Sequence, residues 1–172
     1  MKMKMNDLIK GRAWKFGPNI STDLIAPGRY FHLRENLPEL AKHVLEDART
    51  DFAGNVKEGD FVVADKNFGL GSSREHAAQI IKIAGVKVIL AKSFARIFYR
   101  NAINLGLVAL ECDTDQIDEG DELELNLEEG VIKDLTKETE IKTAPMPEIM
   151  LLILKEGGLL PYIKKHGDLP IV

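Results

Sequence analysis

One short stretch concentrates the groups in this sequence that could do chemistry: Asn67-Phe68-Gly69-Leu70-Gly71-Ser72-Ser73-Arg74-Glu75-His76-Ala77. Gly69 and Gly71 let the backbone turn tightly and approach a ligand closely. Ala77, Ile80, Ile81 and Ala84 then fall at i, i+3, i+4 and i+7, so the loop opens a helix. Unpaired N–H groups and the positive dipole end at a helix start favour an anion. The hydroxyls of Ser72 and Ser73 stand at that spot, with the Arg74 guanidinium, which can grip a carboxylate through two parallel hydrogen bonds. Three other loop types do not fit. A P-loop ends in Lys-Ser/Thr, and no lysine is present. A dinucleotide fingerprint has a third glycine where Arg74 stands. A nucleophile elbow flanks one serine with glycines, whereas Ser73 and Arg74 follow Ser72. Read alone, the loop is an anion site, or a helix start capped by Ser72 or Ser73 with Arg74 paired to a surface carboxylate.

The elements that must hold this loop are legible around it. Leu8–Phe16 reads as a weak strand, followed by a turn-rich Gly17–Asp23 and an irregular loop through Pro27-Gly28. Leu40, Val44 and Leu45 suggest a helix over Glu39–Asp47, with Pro38 in its first turn. Asp60–Ala64 reads as a strand. Gly85 is a natural terminator of the helix after the loop, and Val86–Leu90 is an apolar run of the kind found in strands covered on both faces. Ser93 is a candidate cap for a second helix through Asn104, with Phe94, Ile97, Phe98 and Ala102 facing the core. Gly106–Leu110 is a further short strand. This order implies a parallel βαβ core. The period then becomes two: Leu123, Leu125 and Leu127 alternate with polar residues, Gly130 turns the chain into Val131–Leu135, and Glu138–Thr143 can add a third strand. Pro147–Lys155 reads as a last helix ended by Gly157-Gly158, with a tail to Val172. The expected fold class is therefore α/β: one domain over residues 1–172, with a parallel βαβ core and an added β-rich segment.

Composition narrows the function classes. The 172 residues suit one domain, and 45% hydrophobic with 29% charged residues is ordinary for a globular protein. A formal net charge of -4 without a basic stripe argues against nucleic acid as a partner. Apolar runs such as Met150–Leu154 fall far short of the ~20 residues of a membrane span. No apolar stretch follows Met1-Lys2-Met3-Lys4-Met5, so it does not read as a signal peptide, and a cytoplasmic protein is expected. Cys112, the single cysteine, rules out an intrachain disulfide and a self-contained iron–sulfur cluster, and reads as a buried structural thiol. His32, His43, His76 and His166 form no metal-ligand spacing. No metal is expected on this chain alone.

The chemistry-bearing loop is also recognisable. Gly-x-Gly-Ser-Ser-Arg-Glu-His-Ala, followed by Ala91-Lys92-Ser93-Phe94-Ala95-Arg96-Ile97, closely resembles the swivelling β/β/α domain of aconitase-superfamily enzymes. The continuation Phe98-Tyr99-Arg100-Asn101-Ala102-Ile103-Asn104-Leu105-Gly106-Leu107 resembles small subunits of the 3-isopropylmalate dehydratase and homoaconitase family. Ser21-Thr22-Asp23-Leu24-Ile25-Ala26-Pro27-Gly28-Arg29-Tyr30 resembles the same family's Thr-Asp-x-Ile loop. The likeness covers most of residues 8–110.

The resemblance implies a hydro-lyase that isomerises a 2-hydroxy dicarboxylic acid by dehydration and rehydration, as in leucine biosynthesis. It implies a 4Fe-4S cluster on a separate large subunit, in a heterodimer or heterotetramer, binding the substrate hydroxyl and a carboxylate as Lewis acid. It also implies that Ser72 is the general base and that Ser73 binds substrate or holds the Ser72 alkoxide. Arg74 would bind a substrate carboxylate and favour an ionised Ser72. An alkoxide base near neutral pH needs such cationic charge and N–H donors. Asp23 matches an aspartate of the active-site hydrogen-bond network, or is a turn residue bonded to its own backbone. With one cysteine and Met1 as a natural start, the chain would carry half an active site and need a cluster-bearing partner. In the family the loop after Thr-Asp-x-Ile covers the substrate's variable group. Here it reads Tyr30-Phe31-His32-Leu33-Arg34-Glu35, and Arg34 departs from the apolar pattern of isopropylmalate members. Arg34 either contacts a substrate carboxylate or is a solvated arginine. Homoaconitase, citraconate/methylmalate hydratase and dimethylmalate dehydratase small subunits are the close alternatives. A stand-alone carboxylate-binding module is the alternative without chemistry of its own.

Overall fold

The computed structural model describes residues 8–169; the basic opening Met1–Met5 and the end of the expected tail lie outside them. The fold is organised by its first strand, β1 (Leu8–Lys15). Its second half, Ala13–Lys15, pairs in parallel with β2 (Phe61–Val63). Its first half, Leu8–Arg12, pairs antiparallel with β5 (Glu122–Asn126). Beyond β2 the sheet continues in parallel through β3 (Val88–Ala91) and β4 (Val108–Glu111). Beyond β5 it continues antiparallel through β6 (Val131–Asp134) and β7 (Thr139–Lys142). The result is a seven-stranded sheet ordered β4-β3-β2-β1-β5-β6-β7.

Each half has the burial that its sequence pattern requires. Every residue of β2 and β3 is buried, as expected for strands covered on both faces. In β5 and β6 buried Leu123, Leu125, Ile132 and Asp134 alternate with more exposed residues. Two crossover helices serve the parallel half: α3 (Glu75–Ile83) between β2 and β3, and α4 (Arg96–Asn104) between β3 and β4. Ala77, Ile80 and Ile81 are fully buried, and Gly85 at φ +108° ends the turn that follows α3. Two short helices precede them, α1 (Thr22–Ile25) and α2 (Leu37–Ala41), and two follow the sheet, α5 (Glu148–Lys155) and α6 (Leu159–His166). The expected α/β class, with a parallel βαβ core and an added β-rich segment, is the architecture observed.

Local expectations fail in four places. The helix expected over Glu39–Asp47 stops at Ala41 and continues as turns, because Leu45 adopts φ +55° and donates its N–H to Ile25 O at 3.0 Å. Leu40, Val44 and Leu45 are nevertheless all buried. Ser93 does not cap α4: its Oγ accepts from Asn67 N at 2.9 Å, and α4 starts at Arg96 behind Ala95. Ile97 is exposed rather than in the core, since it lies on the outer face of α4 from buried Phe98 and Ala102. The expected tail contains α6, whose Tyr162 is buried.

Candidate active site

Parallel strands deliver their following loops to one edge of the sheet, so the β2–α3 and β3–α4 loops emerge side by side. Phe68 joins them. Its backbone forms an isolated parallel bridge with Phe94, donating to Ser93 O at 3.1 Å and accepting from Ala95 N at 2.9 Å. Its fully buried ring packs edge-on against Phe98, centroids 5.2 Å apart. The turn before α1 grips the next residues: Gly69 N donates to Ile20 O at 2.7 Å, and Thr22 N to Leu70 O at 2.8 Å. Gly69 lies at φ +83° with its Cα against the Phe98 ring, where a Cβ would come within 2.2 Å of Phe98 Cγ. Gly71, at φ +106°, turns the chain toward Ser72.

Ser72, Arg74 and Asp23 come together in one hydrogen-bonded chain. Thr22 Oγ1 donates to Ser72 O at 2.9 Å, fixing the backbone of the serine. Arg74 Nε donates to Ser72 Oγ at 3.1 Å, and Arg74 Nη1 donates to Asp23 Oδ1 at 3.1 Å and to Ala26 O at 2.9 Å. Asp23 Oδ1 also accepts from Gly28 N at 3.0 Å, so it serves both its own turn and Arg74. Neither serine caps α3, whose cap position is Arg74 with no side-chain cap. Ser73 is exposed and has no hydrogen-bond partner among the described residues.

Thr22, Ser72, Ser73 and Arg74 line a cleft of about 200 Å³ whose other wall is the start of α4, with Arg96, Ile97, Phe98 and Asn101. Arg96 and Asn101, and Thr22 on the near wall, were not singled out from sequence. All three lie in the quoted family-like stretches, and Arg96 opens the helix after the neighbouring parallel strand. Arg96 also borders a second cavity of about 240 Å³ with Phe94, Tyr99, Glu111 and Met146, which lacks the serine pair.

Arg34 stands apart from the cleft lining. It follows the 3-10 segment Gly28–Leu33, with its guanidinium 4.2 Å from the centre of the Phe31 ring and Nη1 3.4 Å from Phe31 O. Its charge still reaches His76, whose imidazole is held below its usual pKa by burial and then by Arg74 and Arg34. The segment is pinned at its base. Arg29 makes two bonds of 2.7 Å to Asp47 and one to Glu46, and Tyr30 stacks on His43 at 3.8 Å. Cys112 is half-buried and lies outside the cleft; burial, then Asp113, pushes its thiol up to about 12. Among the described residues no cluster of His, Cys, Asp and Glu could hold a metal ion.

Residues 27–115, just over half the chain, match the family described as the aconitase C-terminal domain. The 3-isopropylmalate dehydratase small subunit 1 of Thermotoga maritima is 66% identical over 96% of this chain and 100% of its own length. The isopropylmalate/citramalate isomerase small subunit of Methanocaldococcus jannaschii is 53% identical, covering 94% of this chain and 96% of its own. The crystal structure of a 3-isopropylmalate dehydratase chain from Methanocaldococcus jannaschii superposes with a TM-score of 0.89 at 46% identity, covering 94% of this chain and 96% of that one. The chain therefore belongs to the aconitase C-terminal-domain family and, within it, to the 3-isopropylmalate dehydratase small subunits.

Proposed function

We propose that this chain is one swivelling domain that supplies the proton-transfer half of a hydro-lyase active site, acting on 3-isopropylmalate with a large iron–sulfur subunit. The observation that carries the reading is the 3.1 Å hydrogen bond from Arg74 Nε to Ser72 Oγ at the edge of an open cleft. A serine hydroxyl is a poor base at neutral pH, and a guanidinium donating directly to its oxygen stabilises the alkoxide. Ser72 then takes the proton from the carbon beside a substrate carboxylate and returns it on the adjacent carbon. Asp23 and Ala26 O hold the guanidinium in place while Thr22 holds the serine backbone. Ser73 is free to donate to substrate. Gly69 and Gly71 keep the loop close to the reacting groups without side chains of their own.

The other half of the reaction needs a Lewis acid for the departing hydroxyl, which a 4Fe-4S cluster on the partner would supply. This chain cannot hold such a cluster, since Cys112 is its single cysteine. Arg34 is the proposed reader of the substrate's variable end, reaching it by leaving its stack on Phe31. Citramalate is the second substrate to consider, because a relative at 53% identity is named for both acids. A cytoplasmic location, in keeping with an unpaired thiol, is part of the reading.

The test is turnover by this chain mixed anaerobically with the cluster-bearing subunit, on 3-isopropylmalate, citramalate, homocitrate and 2,3-dimethylmalate. Activity is expected in the mixture alone, and the mass of the complex gives its stoichiometry. Ser72→Ala is expected to abolish turnover and leave assembly intact; near-normal turnover would remove Ser72 as the base. If no complex forms and the isolated chain binds a dicarboxylate tightly, the chain is a binding module and the enzyme reading fails.

A further inference from the structure

Donor counting across the cleft distinguishes its two guanidinium groups. Arg74 has five N–H donors. One goes to Ser72 Oγ, and both on Nη1 are taken by Asp23 Oδ1 and Ala26 O. Nη2 alone is left for a ligand, so Arg74 cannot present the two-pronged edge that a carboxylate takes best. Its charge is also balanced by Asp23 at 3.1 Å. Arg96, on the opposite wall, makes no hydrogen bond and no ion pair among the described residues. No carboxylate lines the cleft. Of the two guanidinium groups that line the cleft, that of Arg96 is therefore the one without a carboxylate partner, with all five donors open.

Resting on the hydro-lyase reading, we infer that Arg96 is a specificity-determining residue that grips one carboxylate of the dianionic substrate across the cleft from Ser72. A 2-hydroxy dicarboxylate brings two negative charges to this site, and the Asp23–Arg74 pair offers little net charge to meet them. Arg96 meets one with a planar fork that lysine lacks. Its place at the first position of α4 holds the fork's root on a rigid element, with Phe98 buried against Phe68 and Gly69 behind it. Arg74 then tunes Ser72, and Arg96 selects for a second carboxylate.

The experiment uses Arg96→Lys and Arg96→Gln chains assembled with the cluster-bearing subunit. Thermal melting and sedimentation check fold and assembly. Kinetics on the preferred acid and calorimetric binding of a dicarboxylate inhibitor and its monoamide read the site. KM and the inhibitor Kd are expected to rise about 10- to 100-fold, the worth of charged hydrogen bonds. The preference for the dicarboxylate over the monoamide should collapse, with lysine recovering only part of it. Unchanged KM and selectivity in both variants, with Ser72→Ala inactive, would overturn the role of Arg96 alone. Loss of assembly with selectivity intact in the residual complex would overturn it too, making Arg96 a subunit contact. Normal turnover by Ser72→Ala would instead bring down the hydro-lyase reading.

Discussion

In the proposed reaction Ser72 gives up a proton that its hydroxyl keeps in water far above neutral pH, and the groups around it would lower the cost of losing it. Arg74 would do so through one nitrogen, Nε, while Nη1 is anchored on Asp23 and Ala26 O. That division of labour needs a planar, forked cation. A lysine at 74 has three donors at one point and cannot reach the serine, the carboxylate and the carbonyl together. Arg74→Lys is therefore expected to lower kcat by about 10²- to 10³-fold, as loss of one oriented donor to a developing oxyanion does. Since its partner Asp23 is mostly exposed, thermal stability should change little. Single-turnover rates with saturating substrate would check this, and a kcat within about twofold of the parent would show that bulk positive charge suffices. The residue types that make this arrangement possible are visible in sequence because four of them, Ser72, Ser73, Arg74 and Asp23, lie in two short motifs. Arg96 also lies in a recognisable stretch, but the role proposed for it comes from the absence of a partner and from lining the same cleft, and both are facts of packing.

Elements were legible where one periodicity dominated. The 3–4 spacing of Ala77, Ile80 and Ile81 marks α3, and the apolar runs at Val86–Leu90 and Gly106–Leu110 mark buried parallel strands. What escaped was decided by contacts with distant segments. Leu45 leaves the helical region to bond Ile25 O, and Ser93 Oγ accepts from Asn67 N instead of capping α4. Helix α6 escaped because Gly157-Gly158 reads as an ending and Pro161 as a breaker, although a proline in the first turn is tolerated. The β5–β6–β7 meander holds a feature that periodicity hides altogether: an aspartate at an inward position. Asp134 is buried; its Oδ1 accepts from Thr136 N and Lys137 N, while Oδ2 has no donor. Asp121 lies against it, with Asp118 and Lys137 as the other charged groups of the cluster. Burial, then Asp121, pushes Asp134 above the usual carboxylate range. For Asp121, burial acts upward but is outweighed by hydrogen bonds from Asp134, Asp118 N and Lys137, which leave it lowered. A proton on Asp134 Oδ2, donated to Asp121, satisfies the orphan atom. Because the folded state holds that proton more tightly than the unfolded chain does, Asp134 stabilises fully below its unfolded value. This stabilisation is lost as pH rises through the raised folded value. The lowered Asp121 works oppositely, stabilising above its unfolded value and losing that as pH falls. As pH rises from the unfolded carboxylate value through the raised Asp134 value, the parent chain should therefore lose melting temperature relative to Asp134→Asn, whose amide keeps the donor at all pH values. Parallel curves for the two proteins would show that Asp134 carries no proton.

At the scale of the whole molecule the question is whether the half that carries the cleft can move independently of the meander, and β1 answers it. The same strand supplies Leu8–Arg12 to the antiparallel half and Ala13–Lys15 to the parallel half, so neither sheet can lose β1 without exposing the other's edge. The junction is tight at Gly11, where a Cβ would sit 2.0 Å from Gly59 O and 2.8 Å from Phe61 Cδ1. Both neighbours are rigid, one a backbone carbonyl and the other a fully buried ring. Gly11→Ala must therefore push β1 away from the chain entering β2, at a cost of about 3 kcal/mol, the upper end for overpacking. For a chain of this size that corresponds to a fall in Tm of roughly 6–12 °C. The single tryptophan, Trp14, reports the parallel side directly: its Nε1 donates to Asp60 Oδ2 at 2.8 Å and its ring meets Phe52 edge-on at 5.2 Å. Far-UV circular dichroism reports both halves together. The two signals are expected to change at one temperature in the parent and at one lower temperature in Gly11→Ala, because a shared strand makes the halves a single cooperative unit. Tryptophan fluorescence melting ahead of the circular dichroism would mean that the halves unfold separately. The cleft would then owe its geometry to the parallel layer alone, and a partner subunit would have to supply the rigidity that β1 otherwise provides.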